Sequence, residues 1–405
     1  MGVNVFPAAS GGASYSSQPP ASASSVLLDG QLVTASSIST SVTGTGAPWL
    51  LYANGAGTTT ITVGSDTYSV PAGSTVGTSA YTGSKSVTVA LGPSGTPSSF
   101  IASTMPSSSN WLSVTYGNGY YVAVQQSSTT AGAYSTNGTT WTASTMPSAS
   151  GWSCVTYGNG KFVAVQQDGT TAGAYSTNGT TWTASTMSSA ISWTGVAYGL
   201  VSATPTYVAI AYNSSTGAYS TNGTSWTAST LPSSSGWYAV TYGNGYYVAV
   251  AYNTTAGAYS TNGTTWTAST MPSSSGWYGV AYGLVSATPT YVAVTATLGT
   301  AGAYSTNGST WTASTMPSSS RWTNVTYGNG YFVAITSISS SVGAYSTNGI
   351  TWTGATFPSS ASNWYGITYG NGYFVAVAYD TAGAYFTFFN PPVAYGIYNG
   401  ATVRA

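Results

Sequence analysis

Thirteen of the 14 tryptophans fall on a repeating grid, and that grid limits the fold more than any other feature of the chain. A Trp that opens an alternating segment ending in Tyr-Gly stands at Trp111, Trp152, Trp193, Trp237, Trp277, Trp322 and Trp364. A second Trp, preceded by Ser-Thr-Asn-Gly, stands at Trp141, Trp182, Trp226, Trp266, Trp311 and Trp352. The period is 40 to 45 residues, which suits one four-stranded blade of a radial all-β fold.

Residues 237 to 270 can be read strand by strand. Trp237 to Tyr242 alternates as a first strand, and Gly243-Asn244-Gly245 supplies a turn whose Asn-Gly step tolerates positive φ. Tyr246 to Ala251 is aromatic and β-branched, hence a second strand, and Gly257 to Ser260 makes a third. Asn262-Gly263 turns the chain again, and Thr265 to Thr270 completes the blade.

The mismatch of seven first tryptophans against six second ones is informative. The last copy ends its third strand at Ala384 to Phe389 and then meets Asn390-Pro391-Pro392 without a fourth. Phe100-Ile101-Ala102-Ser103-Thr104-Met105 matches the fourth-strand ending Thr142-Ala143-Ser144-Thr145-Met146, yet precedes the first copy. Pairing the two ends would remove free sheet edges. Residues 100 to 390 therefore read as a seven-bladed β-propeller whose last blade is completed from its N-terminal end. Before it, residues 1 to 25 are rich in Ser, Ala, Gly and Pro and read as an extended anchoring arm. Residues 26 to 99 alternate between turn signals and read as a small antiparallel β-sandwich. Residues 391 to 405 read as a tail strand that joins this sandwich or a neighbouring chain.

Composition narrows function by exclusion. The 405 residues include four Lys+Arg, four Asp+Glu and no His. The basic residues Lys85, Lys161, Arg321 and Arg404 are scattered, which argues against nucleic acid. General acid and base groups are nearly lacking, and a single Cys with no His builds neither a zinc site nor a Cys-His nucleophile. No enzyme activity, metal or other cofactor is expected. Cys154 lies among strand residues and reads as a small buried hydrophobe. No 18-residue apolar run occurs and no secretory signal opens the chain, so neither membrane insertion nor ordinary secretion is expected.

Ser135-Thr136-Asn137-Gly138-Thr139-Thr140-Trp141 and its five copies resemble the Asp-box of sialidase-like propellers found in phage and bacterial surface proteins. Asn137, Asn178, Asn222, Asn262, Asn307 and Asn348 stand where that family has Asp, and the spacing to Trp is one residue shorter. The resemblance implies a propeller in which the box is a structural turn. It implies no sialidase activity, because that chemistry needs an arginine cluster and a Tyr-Glu pair, whereas residues 100 to 390 hold one Arg and the chain has no Glu.

The copies are nearly identical, so the places where they differ mark candidate contacts. The loop between second and third strands varies most, and it shares a face with the loops between blades. Gln126, Gln167, Tyr212, Asn213, Tyr252, Asn253, Tyr379 and Asp380 are the candidate glycan contacts, with Trp237, Trp277 and Trp364 as stacking platforms. An uncharged, aromatic and amide-rich surface suits a neutral glycan better than an ion. The expected role is a non-enzymatic virion structural protein of a bacteriophage: a fibre, spike or decoration. Residues 1 to 99 would contact other virion proteins, with homo-oligomers along a fibre, and the propeller would face host glycans. The alternative is a bacterial lectin or adhesin, extracellular or on the cell surface.

Overall fold

The computed structural model describes residues 97, 99 to 338, 341 to 358, 363 to 379 and 382 to 387, together with the strands between residues 26 and 90 and Ala394–Tyr398. The arm, residues 1 to 25, lies outside the described residues, as do Asp380 and residues 399 to 405. Contacts divide the chain into two units, Met1–Thr96 with Thr387–Ala405, and Pro97–Phe386.

In the first unit, two 17-residue strands, Ile38–Asn54 and Ser74–Ala90, pair along most of their length. Thr58–Val63 and Asp66–Pro71 extend one side of this pair. Ala394–Tyr398 extends the other through Leu50 to Asn54, so the tail returns to the N-terminal sheet. Val26–Leu28 and Gln31–Val33 form a separate hairpin. The pairings thus give one five-stranded sheet and a hairpin where alternation suggested a sandwich. Alternation sets which face a residue occupies but not how many strands join one sheet.

Among the described residues of the second unit, strands pair antiparallel within each sheet, and isolated parallel bridges such as Thr104 with Thr140 join neighbouring ladders. This unit holds five four-stranded sheets and one seven-stranded sheet. The larger sheet is two ladders sharing a strand: the start of Thr227–Gly243 pairs with Ser214–Ser220, and its end pairs with Tyr246–Tyr252. Every first-strand Trp therefore opens its own four-strand ladder. The last ladder runs Trp364–Gly370, Tyr373–Ala378, Ala382–Thr387 and then Ile101–Thr104, with Tyr385 opposite Ile101 and Ala382 opposite Thr104. Phe100 takes the place of the second Trp in this ladder. It is buried, its N–H donates to the Thr356 carbonyl at 2.8 Å, and it stacks 3.9 Å from Phe357.

Neighbouring ladders lock through the Tyr-Gly that ends each first strand. A methyl group on Gly117 would fall 2.0 Å from Tyr157 Cγ, so the glycine is required to let the next ring lie on the backbone. The same contact recurs at every step and ends with Gly370 against Tyr116. Hydroxyls add a second lock: Tyr121, Tyr207, Tyr247 and Tyr291 donate to the carbonyls of Gly370, Gly158, Thr206 and Gly243 in the preceding ladder. The Asn box closes locally. Asn137 Oδ1 accepts from the N–H groups of Thr139 and Thr140 at 2.9 Å each and from Ser135 Oγ at 3.0 Å. A neutral amide oxygen is acceptor enough to close this turn.

Candidate binding site at the axial mouth

The site begins with a bulge. In each ladder the register shifts immediately after the first Trp, as between Trp237 and Ala239, leaving Tyr238 unpaired. Bulges re-aim the extra side chain, and here the extra residue of each ladder is Leu112, Ser153, Thr194, Tyr238, Tyr278, Thr323 or Tyr365. All seven line one axial cavity of about 120 Å³. Where that residue is small and hydroxylic it reaches the next ladder. Ser153 Oγ donates to the Trp193 carbonyl at 2.6 Å, Thr194 Oγ1 to that of Trp237 at 2.7 Å, and Thr323 Oγ1 to that of Trp364 at 2.6 Å. A tyrosine is too long for that bond, so Tyr238, Tyr278 and Tyr365 gather at the mouth instead.

Three loop tyrosines join them. Tyr212 and Tyr379 each follow directly on a second strand, and Tyr252 is the last residue of one. Together the six rings form one chain of contacts. Tyr238 and Tyr278 lie 3.7 Å apart and share a hydroxyl–hydroxyl hydrogen bond. Tyr212 meets Tyr238 edge-on at 6.4 Å, Tyr252 meets Tyr278 edge-on at 6.1 Å, and Tyr365 links Tyr278 at 6.3 Å to Tyr379 at 5.4 Å. Burial pushes the Tyr238 hydroxyl up to about 12, and burial followed by the neighbouring Tyr238 raises Tyr278 further. Both phenols are therefore neutral donors and acceptors across the physiological range.

The remaining predicted contacts divide. Gln167 and Asn253 line mouth cavities. Asn213 is exposed with φ at 51°, a turn conformation that Asn tolerates. Gln126 is half-buried, its N–H bonded to the Asn110 carbonyl at 2.9 Å, and it lines none of these cavities. Asp380 lies outside the described residues. The three tryptophans require correction: Trp237, Trp277 and Trp364 are wholly buried at 0% exposure, so their faces pack inside the ladders and no sugar can stack on them. The indole N–H groups of Trp237 and Trp277 donate to the carbonyls of Ser233 and Ser273, each at 3.0 Å. Sequence reasoning missed Tyr238, Tyr278 and Tyr365. The available signal was the position after the invariant Trp, where seven near-identical copies carry Leu, Ser, Thr or Tyr.

Two charges stand at the mouth, Asp168 and Arg321. Asp168 accepts from the Gly151 N–H through its carboxylate, and its own N–H donates to the buried Gln166 Oε1. Cys154 lines the axial cavity and is half-buried, its thiol pushed up by burial. Among the described residues no group of three His, Cys, Asp or Glu converges as metal ligands would.

Fold and mouth together define a β-propeller with an aromatic axial opening. No family model matches the chain, and no curated protein matches it. Solved structures do match the second unit's architecture. A streptogramin B lyase structure aligns with a TM-score of 0.63 at 13% identity, covering 71% of this chain and 97% of that one. A catalytically inactive virginiamycin B lyase from Staphylococcus aureus with quinupristin aligns at 0.62 and 13% identity, covering 71% and 98%. YCF48 from Cyanidioschyzon merolae aligns at 0.54 and 15% identity, covering 71% and 98%. Likeness at this identity establishes the propeller fold alone.

Proposed function

We propose that the second unit is a propeller of seven blades, and that the chain is a non-enzymatic virion structural protein of a bacteriophage that displays it to neutral glycans on the host surface. The blade count is supported by the Tyr-on-Gly contact, which passes through seven ladders and returns from Gly370 to Tyr116. The ligand reading rests on one observation, the six tyrosines gathered at the axial mouth. Aromatic faces pack the C–H faces of sugar rings, and neutral phenols and amides bond their hydroxyl groups. The non-enzymatic reading rests on composition, since a chain with no His, no Glu and a single Cys holds few groups for general acid and base work. The virion setting rests on composition and on the order of the segments, with residues 1 to 99 as the attachment to other virion proteins and the propeller facing outward.

Single-site affinity on such a surface is weak, and repeated display over a particle gains roughly 10²- to 10⁴-fold in avidity. The test is a host-glycan array probed with the multimerised full chain, beside the double variant Tyr252→Ala with Tyr278→Ala. Binding that survives the double variant refutes the mouth as the site. Detection of the chain in purified phage particles supports the virion role. Its presence only on bacterial surfaces, with glycan binding intact, would establish the lectin or adhesin reading instead.

A further inference from the structure

The mouth is not electrically uniform. Two cavities flank the Tyr252–Tyr278 pair. One, of about 370 Å³, is walled by Tyr212, Tyr238, Tyr252 and Tyr278 together with Gln167 and Asp168. The other, of about 460 Å³, has Arg321 in its wall and no carboxylate. In a chain with only four acidic residues, one carboxylate thus stands beside four phenol rings. Two of the ring pairs are close to perpendicular, at 85° for Tyr212 with Tyr238 and 77° for Tyr252 with Tyr278, so the rings wall the space from different sides.

Ring faces carry the negative lobe of the aromatic quadrupole and attract cations, most strongly where water is partly excluded. Asp168 adds a full negative charge at the rim. It is exposed, yet fixed in place by its bonds with Gly151 and Gln166. A compact, weakly hydrated cation profits from both features, whereas a strongly hydrated ammonium or metal ion would have to give up water that phenol rings do not replace.

We propose that this cavity binds a quaternary ammonium group of the choline type, carried as a substituent on the otherwise neutral glycan taken at the mouth. The substituent's carrier rests on the glycan reading; the ammonium site itself is tested without any glycan. Choline chloride is titrated into the full-length chain and followed by the line width of its N-methyl proton signal. The comparator is the neutral carbon isostere of choline, in which a tert-butyl group replaces the trimethylammonium.

The expected result is that choline binds about 5- to 30-fold more tightly than its isostere, the range set by cation–π attraction in a partly desolvated site. Asp168→Asn keeps an acceptor for Gly151 and removes only the charge, and it should weaken choline about fivefold while leaving the isostere unchanged. Tyr212→Leu keeps apolar bulk and should weaken choline alone. Equal affinity for choline and isostere, absence of choline binding, or choline binding unchanged by both variants overturns the proposal. Choline binding as expected with a blank glycan array leaves the ammonium site standing and removes the glycan reading. Glycan binding with no choline binding does the reverse.

Discussion

Gly370→Ala is the most searching single substitution for the seam between the Trp364 and Trp111 repeats. A methyl group there would lie 2.1 Å from Tyr116 Cγ, whereas carbon atoms in contact sit about 3.5 to 4.0 Å apart. The Tyr116 ring must therefore retreat by roughly 1.5 Å. It cannot do so alone, because it packs at 4.7 Å on Tyr121, whose hydroxyl holds the Gly370 carbonyl. Overpacking of this kind costs about 1 to 3 kcal/mol, and coupling to the Tyr121 bond places this case near 3 kcal/mol. For a unit of about 290 residues, with an unfolding entropy near 2.1 cal/mol/K per residue, that lowers Tm by about 5 °C. The assay is thermal unfolding followed by near-UV circular dichroism. Gly354→Ala is the control: that residue has open space where the Cβ would go, and Ala143 holds the matching place in another repeat. It should be neutral or stabilising by about 0.5 to 1 kcal/mol. A Gly370→Ala protein as stable as the parent would mean that Tyr116 does not seat on Gly370, and the ring would not be closed there.

Tyr207→Phe should cost about 1 kcal/mol by urea unfolding, the worth of its bond to the Gly158 carbonyl, since Phe162 already occupies the equivalent place without strain. Asn262→Ala strips the acceptor from two backbone N–H groups and should cost about 2 kcal/mol, while Asn262→Asp should keep most of the stability. Stability should be flat between about pH 5 and 9 and fall above pH 10, as a melting series against pH would record. The sign follows from burial, which raises the Tyr121, Tyr207, Tyr247, Tyr291 and Tyr369 hydroxyls above 10.0. The unfolded chain sheds these protons first, so their contribution is complete below pH 10 and is lost as pH climbs toward the folded values.

The repeat, the four-strand ladder and the pairing of Ile101–Thr104 with the last copy were legible in the sequence because each is written in local alternation and copied many times. The mouth was legible only in part. Tyr212, Tyr252 and Tyr379 stand at the ends of second strands, where variation between copies is conspicuous. Tyr238, Tyr278 and Tyr365 were hidden by the bulge after each Trp, because strict alternation gives that residue a place in the sheet and says nothing of its turn toward the axis. The first-strand tryptophans misled for the opposite reason. They follow polar loops in sequence, yet the ladder draws each indole fully inside.

The strand Ile101–Thr104 also sets a timetable. It leaves the ribosome before any complete repeat, and its partner Ala382–Thr387 follows roughly 280 residues later. At about 5 to 20 residues per second, that strand waits on the order of 15 to 55 s for its place in the sheet. Every earlier repeat brings its own fourth strand within a few residues of its third, so only the last repeat emerges with an open edge. Its vacancy accepts the sequence Ile-Ala-Ser-Thr from any copy of the chain, and on crowded ribosomes a neighbour's waiting strand competes with the chain's own. Slow synthesis at low expression therefore favours closed monomers, and rapid overproduction favours chains linked head to tail by exchanged strands.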